Sequence, residues 1–350
     1  MLKQIDAGSF DEMLDGKKVS VHILKNKNNM EVAITNYGAR IVTLIVPNKN
    51  SNPTDVVLGF ESLEGYLNSG ETYHGAIVGR YANRIARGQF SQNGKTYQLS
   101  INNPPNHLHG GPTGFNTQVW TIDEVKNNSI KLSYFSPDGE ENYPGNLDVS
   151  VTYTLTDQNE LVIEYEATTD QTTVVNMTAH PYFNLNGQGT GTIENHLLQI
   201  NAGFYTPVDE ILIPSGIFSI ENTPFDFRIP KKIGEHINDN NEQLKYGAGY
   251  DHNFVLNGTG LRSAGIATGD KSGIRMEVIT DQPAMQLYTG NWLQGQNSIK
   301  YGLKDKRREA FCLETQHYPD SPNHPDFPST TLQPGEVLRS TTIYKFSMQN

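Results

Sequence analysis

The chain is 350 residues long, 36% apolar, with a formal net charge of −11. That charge disfavours nucleic acid and anionic membrane surfaces as partners, since both would be repelled, and favours a neutral small ligand. The single cysteine, Cys312, excludes an internal disulfide, and an N-terminus without an apolar core, in a chain with no run approaching about 18 apolar residues, predicts a cytoplasmic protein.

Strand signals dominate in chain order. The segments KVSVHILKN and MEVAITNYGARIVTLIVPN alternate or run β-branched and stop at Asn, Pro or Gly. Leu63–Leu67 could form one helical turn. RGQFSQNGKTYQLSI reads as a hairpin with Asn93-Gly94 at its turn, a dipeptide that tolerates positive φ at both central positions. The stretch from Leu147 to His180 predicts three strands in a meander, with turns near Asp157–Asn159 and Asp170–Thr172. Short helical pieces are expected at Ile233–Ile237 and Asn241–Tyr246. Further strands are expected at Ile274–Thr280, Met285–Tyr288, Ala310–Thr315 and Ser340–Phe346. With no linker, no internal repeat and no charge block longer than KDKRR, the expectation is an all-β chain: one large antiparallel β-sandwich domain over residues 1–350, with very little helix.

Strand period then places the chemistry. In TVVNMTAH, Val175, Met177 and Ala179 share one face while Asn176, Thr178 and His180 share the other. Pro181 biases His180 to extended geometry, so the strand should persist to that residue. In AFCLETQ, Phe311, Leu313 and Thr315 face one way, and Cys312, Glu314 and Gln316 the other. An imidazole and a carboxylate converging on one cleft can deliver one proton while removing another, which is what opening a neutral sugar ring requires. The plainer readings are a histidine bonded at a strand end, and a Glu314 salt bridge to Lys306, Arg307 or Arg308. The apolar run around Glu314 argues instead for burial, which raises a carboxyl pKa.

HLHGG sets His107 and His109 at i,i+2, on one side if the segment is extended. With no HExxH or CxxC spacing, a metal site is disfavoured, and anchoring of a sugar hydroxyl beside glycines that permit close approach is the better use. GRYANRIARG carries Arg80, Arg84 and Arg87, either a solvated basic turn or a donor fork for sugar oxygens. Phosphate-loop and GxSxG patterns are absent.

Taken together, NYGARIVTL, GRYANRIARGQF, NNPPNHLHGGPTGFN, NMTAHPYFNLNG, TPVDEILIPSG, FDFRIPKKIGE, YDHNFVL, QLYTGNW and FCLETQHYPDSPNHP resemble, in order, the aldose 1-epimerase (galactose mutarotase) family. The resemblance spans about Asn36 to Pro325. It implies a large antiparallel sandwich with an open cleft, and interconversion of the α and β anomers of free aldohexoses such as galactose and glucose. It also implies Glu314 as general base, His180 as general acid and His109 as a group that binds or polarises the sugar. Asn83, Arg84, Asp251 and Gln286 match positions that hold sugar hydroxyls. No cofactor and no metal are implied, and the expected partner is the sugar, bound by a monomer or homodimer. Pro104, Ala179 and Pro181 depart from residues frequent in the family. Attraction between the pair is expected to raise the His180 pKa above its usual value. Three rivals remain: a hexose 6-phosphate epimerase, which would need Arg80 or Arg87 beside Arg84; a non-catalytic sugar-binding protein; and a glycoside hydrolase with Asp251 as its second carboxylate.

Overall fold

The computed structural model describes residues 5–349; residues 1–4 and 350, the outer ends of the expected domain, lie outside them. The architecture is antiparallel β with two five-residue α-helices among the described residues, Leu63–Leu67 and Glu242–Tyr246. Both begin at a residue whose side chain accepts from free backbone N–H groups of the first turn, Ser62 and Asn241.

The largest sheet has nine strands in the order Thr121–Val125, Ser129–Ser136, Leu147–Leu155, Glu160–Thr169, Leu338–Met348, Ile274–Thr280, Arg262–Thr268, Leu197–Ile200 and Lys231–Lys232. The C-terminal strand thus lies in its middle. Period-2 patterning decides which way this sheet faces: Val149, Val151 and Tyr153 point inward while Asp148 and Ser150 point toward water.

Against it pack two smaller sheets. One has four strands: Val21–Lys25, Glu31–Thr35, Arg40–Pro47 and Pro53–Asp55. The other has five, in the order Phe218–Ser219, Ala202–Thr206, Asp251–Leu256, Ala284–Tyr288 and Cys312–Gln316. One continuous apolar core joins them, with Ile163 and Val278 from the large sheet, Leu44 from the four-stranded one, and Met285, Leu287 and Leu313 from the five-stranded one. Full burial of each such side chain stabilises the fold by about 1.5–3 kcal/mol. The expected sandwich is what the chain forms.

Two local expectations differ. The third meander strand is not part of the large sheet: Thr173–Val174 pairs with Thr331–Leu332, and Thr178–Ala179 pairs with Ile77–Val78. Between them Asn176 draws the chain aside, donating to the carbonyls of Ala82 and His317 and accepting from His317 N. Ile233–Ile237 is a turn, because Ile233 N and Gly234 N donate to His196 and Glu194 rather than along a helix. The Asn93-Gly94 hairpin forms as expected, with φ of 53° and 74°.

Candidate active site

Strand alternation brings the chemistry to one face. Val175, Met177 and Ala179 enter the core, so the opposite face carries His180. The strand pairing ends at Ala179, but His180 N still donates to Ala76 O and Gly75 N to His180 O, which holds the residue extended. On the five-stranded sheet, Leu287 and Leu313 enter the core, and Asp251, Gln286 and Glu314 rise on the other side. His180 Nε2 stands 3.4 Å from Glu314 Oε1, with side chains 5% and 2% exposed. The His180 ring lies between two tyrosines, 4.9 Å from Tyr182 and 5.9 Å from Tyr73, each within 26° of parallel. This leaves its edge free to face the carboxylate.

His109 arrives from a different construction. It and Asn83 both adopt left-handed backbone, at φ 53° and 63°. They lock each other: His109 N donates to Asn83 O at 3.0 Å and Asn83 N to His109 Nδ1 at 3.1 Å. Because Nδ1 accepts, the ring's proton sits on Nε2, and His109 is a neutral donor. Burial first, then His180 and Arg84, push its pKa well down. Left-handed backbone at His109 also undoes the expected i,i+2 alignment. His107 is turned away, bonded to Ser100 O and the Tyr143 hydroxyl at 2.6 Å each. The neighbouring glycines serve packing rather than sugar approach: a Cβ on Gly110 would stand 1.8 Å from Gly79 O.

These groups line an open cleft of about 440 Å³ together with Asn83, Arg84 and Asp251. Arg84 Nε donates to Asn103 Oδ1 at 3.1 Å. Gln286 does not line the cleft itself; it stands beside Glu314 and donates to Asp251 Oδ1 at 2.7 Å. Arg80 and Arg87 do not join Arg84. Arg80 is buried against the carbonyls of Ser136, Pro144 and Gly145, and Arg87 is exposed. Glu314 makes no salt bridge to its basic neighbours, and Arg308 pairs with Glu194 instead. Sequence reasoning missed Glu71, Tyr73, Leu108, Tyr288 and Trp292 in the lining. Trp292, half-exposed at 51%, had a signal in its rarity, as one of two tryptophans in the chain.

Electrostatics correct one expectation outright. His180 is pushed down to about 4, chiefly by burial, with Arg40 acting in the same direction; it is not raised by Glu314. Glu314 is pushed well above the usual carboxyl value, by burial and then by Asp251, with Arg84 opposing. Asp251 is raised by burial, with Arg84 and Gln286 opposing. Depth outweighs pairing because a charge loses its hydration before a partner 3.4 Å away can compensate. As a donor set, His109, His180 and Glu314 each offer one ligand atom within 4.8 Å of the others, so two imidazoles and a carboxylate could also grip a zinc-like ion.

Residues 20–345 match the family model described as aldose 1-epimerase. The chain belongs to the aldose 1-epimerase family. Within that family it is 47% identical to the galactose mutarotase of Bos taurus over 323 residues, 92% of each chain. A solved GalM/aldose epimerase homologue from C. elegans superposes with a TM-score of 0.88 at 30% identity, covering 95% of this chain and 100% of that one. A galactose 1-epimerase from Lactobacillus acidophilus gives 0.85 at 33%, covering 97% of each. Membership brings isomerase chemistry of the aldose 1-epimerase type, on the fold just described.

Proposed function

We propose that the chain interconverts the α and β anomers of free aldohexoses, galactose and glucose among them, by acid–base ring opening and closure. The observation that carries this reading is the buried contact between His180 Nε2 and Glu314 Oε1, 3.4 Å apart in an open polar cleft. Glu314 takes the proton from the anomeric O1 as C1–O5 breaks, and His180 protonates O5. The product is the open-chain aldehyde. Rotation about C1–C2 turns the other carbonyl face toward O5, and the same two proton transfers run in reverse. Protons and electrons balance with no outside reagent. Each positioned acid or base contributes about 10²–10⁴-fold. His109, with its proton on Nε2, donates to a sugar oxygen; Asn83, Arg84 and Asp251 hold hydroxyls, and Gln286 supports Asp251.

The shifted pKa values say where the proton waits. Between the low value of His180 and the raised value of Glu314 the pair holds one proton, which burial favours on Glu314 before a sugar binds. Sugar hydroxyls that donate to the free Glu314 Oε2 favour the carboxylate and send the proton to His180, the arrangement the reaction needs. A second proton, taken up near pH 4, removes the base. Loss of the shared proton at high pH removes the acid. The profile of kcat/KM is therefore bell-shaped, with limbs that belong to the pair.

The charges also favour a neutral sugar over a phosphorylated one. Arg84 is the one guanidinium in the described lining, against the three carboxyl groups Glu71, Asp251 and Glu314. Polarimetry of freshly dissolved α-D-galactose, α-D-glucose and a hexose 6-phosphate tests this reading. Faster approach to the same final rotation is expected for the free sugars. Acceleration confined to the phosphate would overturn the substrate class, and none with any sugar would leave a binding protein.

A further inference from the structure

The five-stranded sheet carries a row of polar side chains, only part of which the reaction above uses. Thr206, Asn253, Gln286 and Glu314 stand directly opposite one another on four adjacent strands. Their side chains therefore rise from one face at a spacing of about 5 Å. All four are buried, with exposures of 0%, 1%, 3% and 2%. Buried polar atoms normally find partners. Yet Thr206 Oγ1, Asn253 Nδ2 and Oδ1, Gln286 Oε1 and Glu314 Oε2 are bonded by no protein group.

The free atoms are complementary. Gln286 Nε2 donates to Asp251 Oδ1, and a carboxylate can only accept, so the amide turns its NH₂ toward the carboxylates and its Oε1 away. That nitrogen keeps a second N–H for Glu314 on the next strand. On the other side, Gln286 Oε1 is a free acceptor beside the free donor Asn253 Nδ2, and Asn253 Oδ1 is a free acceptor beside the Thr206 hydroxyl.

We propose that Thr206 and Asn253 are positioning residues: Thr206 donates to Asn253, Asn253 to Gln286, and Gln286 presents its two N–H groups to Asp251 and Glu314. Apart from Gln286 to Asp251, no link is a direct hydrogen bond, so each of the others closes through one buried water. The role rests on Glu314 being the base. A glutamine can present either end, and a flipped amide would aim an acceptor at two carboxylates. Pinning Oε1 from behind prevents that.

The donated hydrogen bonds favour ionised Glu314 against burial and against Asp251 and Glu71, which face it from other segments. Arg84 acts in the same favourable sense, and His109 and His180 also face the carboxylate. The neighbouring Cys312, Tyr182 and Tyr344 are held un-ionised by burial. None of these groups changes when Asn253 is altered.

The test is the pH profile of kcat/KM for galactose anomerisation by the full chain carrying Asn253→Leu or Thr206→Val, with Tm measured alongside. Without the anchor, Glu314 holds its proton more tightly. The alkaline limb of Asn253→Leu should move up by ~1 pH unit, the plateau should fall about tenfold, and the acid limb should stay in place. Thr206→Val should shift the same limb less, and Asn253→Ser, which retains a donor, should recover most of the loss. Unmoved limbs in both Asn253→Leu and Thr206→Val, whatever their Tm, would overturn the proposal. If Asn253→Leu does not fold, Thr206→Val decides alone. A wild type inactive toward every aldose would defeat the function reading, and the positioning role with it.

Discussion

Leu147–Leu155 alternates buried and more exposed positions from end to end, whereas Ala284–Tyr288 and Cys312–Gln316 are buried at every position. Both sheets turn an apolar face to the same core. They differ in what covers the other face. The nine-stranded sheet gives its second face to water, where Asp148, Ser150 and Glu164 keep their hydration. The five-stranded sheet has its second face covered by the segments that carry His109, His180 and Arg84, and still holds Glu314, Gln286, Asp251 and Asn253 there. A carboxylate under cover costs stability unless something uses it. On the proposed function, the first sheet is scaffold and the second is where stability is traded for chemistry.

Mutation should separate the two sheets, and the largest effects belong to the covered face. Glu314→Gln and His180→Asn should each slow anomerisation by about 10²–10⁴-fold in a coupled or polarimetric assay. Glu314→Gln should do so without lowering Tm at pH 7. The folded pKa of Glu314 is raised, so its contribution to stability is present below the unfolded value and lost as pH rises through the folded one. At pH 7 the folded carboxyl must keep a proton that the unfolded one releases, a cost that glutamine lacks. A Tm several degrees lower would contradict that.

The scaffold should show the reverse split. Ile163→Ala, in the core of the large sheet, should lower unfolding free energy by about 2–5 kcal/mol in denaturant titrations. Its kcat should stay near wild type at a temperature where it is folded. A loss of activity exceeding the loss of folded fraction would show that the sheets are not separable in this way.

Acid should act more gradually, through histidines. His74 and His252 are held near 3, and His180, His196 and His317 near 4, all mainly by burial. A lowered histidine pKa means that the unfolded chain takes up protons first. The associated stability is complete above about 6.5 and is lost as pH falls toward 4, by about 2 kcal/mol per histidine at pH 5. Denaturant midpoints at pH 7 and pH 5 check this, and equal midpoints would contradict it. At the small end, Phe135→Ser, on the open face of the large sheet at 53% exposure, should change stability by less than about 0.5 kcal/mol and leave the rate untouched.

The same contrast explains what could be read in the sequence. Alternation was legible wherever one strand face meets the core, so His180 and Glu314 could be assigned to polar faces, and the sandwich followed from strand count. Backbone reversal was not legible: nothing in HLHGG announces that His109 takes left-handed φ and leaves His107 behind. Glu71 and Tyr73 come from an irregular segment after Leu63–Leu67, where no period exists to read. The His180 pKa was misjudged because a sequence names the partner and hides the depth. Burial lowers it, and Glu314 does not raise it.

Polarimetry of α-D-galactose with equal amounts of wild type and Glu314→Gln tests the central claim most directly, that the covered face of the five-stranded sheet does the chemistry. Wild type should hasten the approach to the final rotation, and the variant, folded and at least as stable, should fall to near the spontaneous rate. A Glu314→Gln protein that matches wild type would contradict the claim and return Glu314 to the status of a buried structural carboxyl.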